Sequence, residues 1–193
     1  MKIIIIGSGK GSNAEAIIQS KKNNLLGNTE ITSIISDKAD SGILEIAKRY
    51  KIKSNYYDAG QSVFLEDNFE NSWIKKIDLL NPDLIVLAGF MKILKPTFIE
   101  SVNYNIINLH PSLLPSFKGL NAIERAFKKG VKIAGCTVHW VNEGVDEGKI
   151  IAQAPVRIME NDSLDMVKSR IHAAEHILLP ETIRNLSIKY SDS

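Results

Sequence analysis

Apolar and polar positions along the chain fall into two alternating kinds of stretch. Apolar runs of strand length occupy 3–6, 31–35, 84–88, 106–109, 133–141 and 150–156, with a weaker one at 53–57. The runs at 3–6, near 85 and near 107 are almost unbroken, as in strands buried on both faces. Between the runs, helical periodicity predicts helices near 12–22, 40–50, 66–80, 97–103, 121–129 and 163–185. In the last of these, Leu164, Val167, Ile171, Ala174 and Leu178 recur at spacings of three and four, and Asp162-Ser163 offers an N-cap. Pro180 is expected to end or kink that helix, because proline lacks the N–H and clashes with the preceding turn. The alternation predicts an α/β fold: a doubly wound, mostly parallel sheet with helices on both faces, Rossmann-like. Residues 142–148 leave no room for a crossover helix, so 133–141 and 150–156 are expected to pair antiparallel and make the sheet mixed.

No repeat, low-complexity tract or linker divides the sequence, and 193 residues predict a single domain. Lys and Arg number 24 against 22 Asp and Glu, a net charge of +2, with no long run of one sign. That balance argues against a dedicated nucleic-acid or membrane-surface binder and toward small-molecule partners. Cys136 is the one cysteine, which excludes an intrachain disulfide and a cysteine-based zinc cluster. The opening Met1-Lys2 and four isoleucines are too short for a secretory signal, and no apolar run approaches the roughly 20 residues of a membrane span. A cytoplasmic location is expected, with no metal and with a monomer or homodimer both open.

Two segments carry candidate chemistry. Gly7-Ser8-Gly9-Lys10-Gly11-Ser12-Asn13 joins the first strand to the first helix, where backbone N–H groups and the positive helix end can receive a phosphate. The spacing is not that of a P-loop, and Ser12 stands where a dinucleotide fingerprint needs its third glycine. Asp37, at the end of the second strand, keeps a nicotinamide-dependent dehydrogenase open as an alternative. The second segment is Asn105-Ile106-Ile107-Asn108-Leu109-His110-Pro111-Ser112-Leu113-Leu114-Pro115. Strand alternation puts Asn108 and His110 on one side at the carboxyl end. An amide can donate to a developing oxyanion and an imidazole can move a proton near neutral pH. Asp146, after the 133–141 strand, is the candidate carboxylate that would favour the protonated ring. His139, beside Trp140, reads as a strand residue packed against a neighbour, and Trp73 as core.

Asn108-x-His110-Pro111-Ser112-Leu113-Leu114-Pro115, followed by Gly119 and by Asp146-x-Gly148, resembles the signature of the 10-formyltetrahydrofolate-dependent formyltransferases. Within them, Ser8-Gly9-x-Gly11-Ser12-Asn13, Ala88-Gly89-Phe90-Met91-Lys92-Ile93-Leu94 and Ala174-Glu175-His176 are most similar to the glycinamide ribonucleotide transformylase family, across essentially the whole chain. The resemblance implies a catalytic trio of Asn108, His110 and Asp146. It implies that Gly11, Ser12 and Asn13 hold the ribonucleotide phosphate, that Glu175 binds the ribose hydroxyls, and that His172 lies nearby. Met91, Lys92, Ile93 and Leu94, with the loop residues Asn142, Glu143, Gly144 and Val145, would line the pteridine pocket through backbone groups and apolar contacts. The co-substrate would be 10-formyltetrahydrofolate, with phosphate and nucleotide binding in the N-terminal half and folate binding and catalysis in the C-terminal half.

The chain departs from the family at Glu66 and Asp67, near an arginine that in relatives helps hold the folate tail. It departs also at Lys92, a common arginine, and at Ile123, where histidine is frequent. Other formyltransferases of the superfamily and a formyltetrahydrofolate hydrolase share the trio. The methionyl-tRNA enzyme and the hydrolase carry additional domains that the length of 193 residues is expected to exclude, and the phosphate turn here resembles the glycinamide type.

Overall fold

A computed structural model describes residues 1–191. The chain runs β1 (Lys2–Ile6), α1 (Ser12–Lys22), β2 (Glu30–Ser36), α2 (Gly42–Arg49), β3 (Ser54–Tyr56), α3 (Asp67–Asp78), β4 (Leu84–Leu87) and α4 (Pro96–Ser101). It continues through β5 (Asn105–His110), α5 (Ala122–Lys129), β6 (Ile133–Trp140), β7 (Ile150–Arg157) and α6 (Leu164–Ser191). One seven-stranded sheet has the order β3-β2-β1-β4-β5-β6-β7. The first five strands in that order are parallel. The expected β6–β7 pair is antiparallel, and β6 also runs antiparallel to β5, so the sheet is mixed.

Strand alternation divides the apolar residues between two cores. Ile3, Ile5, Ile34, Val86, Ile107 and Val138 face α1, α2 and α6, where Ile17, Ile43 and Ile171 meet them. Ile4, Ile6, Ile35, Ile85 and Ile106 face the other way, onto Trp73 and Ile77 of α3 and Phe98 of α4. The central β1 therefore reads as isoleucine from Ile3 to Ile6: both faces are dry there, and each such side chain contributes about 1.5–3 kcal/mol on burial. Trp73 is core, as its helical spacing predicted, and its indole N–H reaches the Asp58 carbonyl at 2.7 Å.

Pro180 neither ends nor visibly stops the last helix, which continues to Ser191. Leu178, Leu179 and Ile183 are buried on either side of it. Their packing offsets the lost bond and the crowding, which cost about 3 kcal/mol in a helix interior. No described helix is long and apolar enough to cross a membrane.

The parallel strands bring their carboxyl ends to one edge. β1 leads to β2 on one side while β4 lies on the other, so the chain reverses its order there and opens a crevice beyond the strand ends. The exits of β1, β4 and β5 border it.

Candidate active site

The β1 exit is held by backbone bonds from Gly7 N–H to the Ile35 carbonyl and from Ser8 N–H to the Gly89 carbonyl, both 3.0 Å. Gly11 is the N-cap of α1 at φ 82, and a Cβ there would stand 2.6 Å from Ile43 Cα. Only glycine meets both demands. No side chain caps α1, so the sequence has left the helix start as an anion cradle instead of closing it with a serine. Across the crevice, Asn13 Nδ2 donates to Glu175 Oε2 at 3.0 Å, and His172 Nδ1 lies 3.0 Å from the same oxygen. The hydrogen bond to Glu175 holds the His172 imidazole above its ordinary value, against partial burial. Glu175 itself is buried, and the amide oxygen of Asn13, Oδ1, is buried without a partner among the described residues. Asn13, His172 and Glu175 are thus brought together beside Gly11 and Ser12, as the sequence suggested.

The β4 exit is tied to the same turn, since Met91 N–H donates to Ser8 Oγ at 2.9 Å. Met91 is exposed, whereas Leu94 is buried in the core against α3 and α4. Ile93 exchanges both backbone groups with the preceding loop, N–H to the Val63 carbonyl at 2.9 Å and carbonyl from Leu65 N–H at 3.1 Å. The Leu94 side chain is thus held by the core, and the Ile93 backbone by the preceding loop. Lys92 does not extend into the crevice either. Its ammonium donates to the Gly60 and Ser62 carbonyls, at 2.7 and 2.5 Å. Glu66 receives the Gln61 and Ser62 amides of the same loop at 2.7 and 2.8 Å. Two of the departures from the family pattern, Lys92 and Glu66, thus both bind the 60–62 loop. Asn142, Glu143, Gly144 and Val145 form the β6–β7 loop, with Asn142 Oδ1 accepting from Gly144 N–H at 3.2 Å. Val141, at its start, bonds the Ile106 carbonyl of β5 at 2.8 Å and packs with Phe90 on the α3 and α4 side.

At the β5 exit the expected trio assembles around Asp146, which occupies the left-handed region at φ 54. Asp146 Oδ2 lies 3.1 Å from His110 Nδ1 and accepts the Gly119 amide at 2.8 Å. Oδ1 accepts from Asn108 Nδ2 at 3.3 Å and lies 3.5 Å from His139 Nε2. Burial pushes the Asp146 carboxyl up, yet His139, the Gly119 amide and His110 together hold it below the usual carboxylate range. His110 Nε2 meets the Phe117 carbonyl at 2.9 Å. A carboxylate and a carbonyl only accept, so His110 has an acceptor within reach of each ring nitrogen. The turn that follows is anchored from β6 and β7. Thr137 Oγ1 donates to the Ser112 carbonyl at 2.6 Å and accepts from Leu114 N–H and from Gln153 Nε2, at 3.1 and 3.0 Å.

Sequence reasoning missed His139. Antiparallel register places it directly opposite Asn108, on the same face as His110, where it lies 3.2 Å from Asn108 Nδ2. Pairing β5 with β6, instead of only β6 with β7, would have exposed it. The Phe117 carbonyl and the Gly119 amide were also missed, because backbone groups leave no mark in the sequence beyond Gly119 itself, at φ 77. Among the described residues, no cluster of three or more His, Cys, Asp or Glu side chains is placed to hold a metal ion.

The strand-end crevice thus has the uncapped start of α1 on one side and the His110–Asp146 pair on the other. The family model described as Formyl transferase matches residues 1–183. The chain belongs to the formyl transferase family. Phosphoribosylglycinamide formyltransferase of Bacillus subtilis (strain 168) is 39% identical over 185 residues, covering 96% of this chain and 94% of that protein. Its counterpart in Escherichia coli (strain K12) is 37% identical over 184 residues, covering 95% and 85%. Among solved structures, phosphoribosylglycinamide formyltransferase from Bacillus halodurans superposes with a TM-score of 0.89 at 39% identity, covering 96% of this chain and 95% of that one. This formyl transferase also matches the trifunctional purine biosynthetic protein adenosine-3 of Homo sapiens at 35% identity, over 95% of its own length but 18% of that protein's. The dehydrogenase alternative, which rested on the glycine turn and Asp37, has no support from these relatives.

Proposed function

We propose that the chain transfers the formyl group of 10-formyltetrahydrofolate to the amine of 5'-phosphoribosylglycinamide, the third step of de novo purine synthesis, in the cytoplasm. The observation that carries this reading is the buried His110–Asp146 pair, with Asn108 beside it, at the strand-end edge that also bears the Gly11 cradle. The names of the most similar relatives support the choice of substrates. Gly11, Ser12 and Asn13 receive the phosphate dianion, and Glu175, steadied by Asn13 and His172, accepts the ribose hydroxyls. The folate lies between the Met91–Leu94 segment and the loop of Asn142, Glu143, Gly144 and Val145. Met91 contributes its side chain, and Lys92 and Leu94 contribute backbone groups.

In the reaction the free amine attacks the formyl carbon, its lone pair forming the new N–C bond while the carbonyl pair moves onto oxygen. His110 stabilises that oxyanion through Nε2–H. The charged oxygen is a stronger acceptor than the Phe117 carbonyl that holds the hydrogen otherwise. The intermediate then collapses, the bond to the folate nitrogen breaks, and His110, kept charged by Asp146, relays the amine's proton to that nitrogen. No covalent enzyme intermediate is needed. Holding amine and formyl carbon together can supply several kcal/mol of the barrier, up to about 7–11 in favourable systems.

The direct test mixes the protein with glycinamide ribonucleotide and a formyl-folate, and follows release of the deformylated folate by absorbance. Transfer is expected, and His110→Ala is expected to lower kcat at least about a hundredfold with little change in substrate KM. Absence of transfer by the native chain, or an unaltered rate in the variant, contradicts the proposal.

A further inference from the structure

An ionised carboxylate only accepts hydrogen bonds, so the end of the Asn108 amide facing Asp146 Oδ1 at 3.3 Å is its NH2 group. The same nitrogen lies 3.2 Å from His139 Nε2, nearer than the 3.5 Å between Nε2 and Asp146 Oδ1, and it reads as donating to a lone pair there. The opposite edge of the ring agrees. His139 Nδ1 lies 2.8 Å from the Trp140 carbonyl oxygen, an acceptor only, so Nδ1 carries the ring hydrogen. Gly148 allows that carbonyl its position, because a side chain at 148 would collide with it. His139 is 2% exposed, which keeps solvent from exchanging with these bonds. Both Asn108 N–H groups thus point inward, one to His139 and one to Asp146. Among the described residues no group donates to the amide oxygen, Oδ1, which is left as the end available to a ligand.

We propose that His139 is a positioning residue for formyl transfer. By accepting one N–H of Asn108, it keeps the amide oxygen turned to the crevice, where that oxygen accepts a hydrogen bond from the attacking amine. The inference rests on the transfer reaction described above and changes one role in it. Asn108 anchors the nucleophile, where the sequence suggested a donor to the oxyanion, and oxyanion stabilisation falls to His110. Anchoring one amine N–H turns the nitrogen lone pair toward the formyl carbon as the N–C bond forms. His139 touches no substrate atom and exchanges no proton with it.

The test uses the full chain. His139→Leu removes the acceptor while keeping an apolar side chain, and is expected to lower kcat by about tenfold to a hundredfold with both KM values within about twofold. His139→Gln, whose amide oxygen can accept from Asn108, is expected to stay within about fivefold of the native kcat. In an Asn108→Ala background, His139→Leu is expected to change kcat by less than about threefold, because the effect passes through Asn108. Losses that multiply in the double variant, or that appear in KM alone, overturn the inference. Nitrogen-15 spectra of the unsubstituted protein test it even if the leucine variant fails to fold. A neutral His139 with Nδ1 protonated and Nε2 bare supports it, and the opposite tautomer refutes it. That measurement needs no substrate, so its failure is distinct from failure of the transfer reading, which shows as a native protein without activity.

Discussion

Asp146→Asn is the perturbation whose consequences the structure specifies most fully. The native carboxylate has four neighbours: His110 Nδ1 at 3.1 Å, the Gly119 amide at 2.8 Å, Asn108 Nδ2 at 3.3 Å and His139 Nε2 at 3.5 Å. At 3.1 Å and an effective dielectric near 20, attraction between the His110 and Asp146 charges is about 5 kcal/mol. An asparagine withdraws that attraction. The ring, 5% exposed, is then left without a counter-charge. The damage to folding is that of the weakened hydrogen bonds, about 1.5–3 kcal/mol, or a fall in Tm of roughly 3–12 °C for a domain of this size. The damage to catalysis is larger, because the proposed transfer needs His110 to hold the oxyanion and supply a proton to the folate nitrogen, and both roles depend on the neighbouring carboxylate. We expect kcat to fall about 10²- to 10⁴-fold with substrate KM nearly constant. The acid limb of stability should change as well. The folded-state value of Asp146 is depressed, so its contribution is fully present above the unfolded value near 3.9 and is lost as pH falls through the lower folded value. The variant's Tm should decline less than the native protein's below about pH 4. Steady-state kinetics and thermal unfolding by circular dichroism read all three effects. A variant keeping more than a tenth of native kcat would refute the reasoning.

Two further changes probe other parts of the molecule. Gly11→Ala places a Cβ 2.6 Å from Ile43 Cα on a left-handed backbone, and should lower stability by at least about 2 kcal/mol and raise the ribonucleotide KM, read by thermal unfolding and initial rates. His176 is held below its ordinary value by burial, with Nε2 lacking a partner, so the folded state resists a proton that the unfolded state binds. Stability should therefore fall as pH drops below about 6.5, and His176→Leu should flatten that decline between pH 7 and 5; an unchanged slope would count against the assignment.

The order of elements was legible because β1, β4 and β5 are buried on both faces and leave unbroken apolar runs, while the helices show their period against polar loops. Pro180 does not end the helix as one half of the expectation had it, because the local rule leaves out the partners of α6. Leu178, Leu179 and Ile183 bury their side chains whether or not one helix bond is lost, and that packing carries the helix through. In the 91–94 segment the core takes the Leu94 side chain and the 63–65 strand-like stretch pairs the Ile93 backbone, partners that no local pattern names.

The trio was legible for a different reason. Asn108 and His110 are two apart on one strand, so alternation alone puts them on one face, and Asp146 follows from the tight connection after β6. His139 obeys the same alternation, but its meaning depends on register between β5 and β6, a pairing across 31 positions that no local pattern encodes. That register also sets which atoms meet at the carboxylate. Asp146 lies between two imidazoles, and the backbone distinguishes them. The Phe117 carbonyl gives His110 a second acceptor, while the Trp140 carbonyl takes the ring hydrogen of His139 and leaves Nε2 to receive Asn108. Two backbone oxygens thereby separate the proton carrier from the positioning residue, although both are histidines within reach of Asp146.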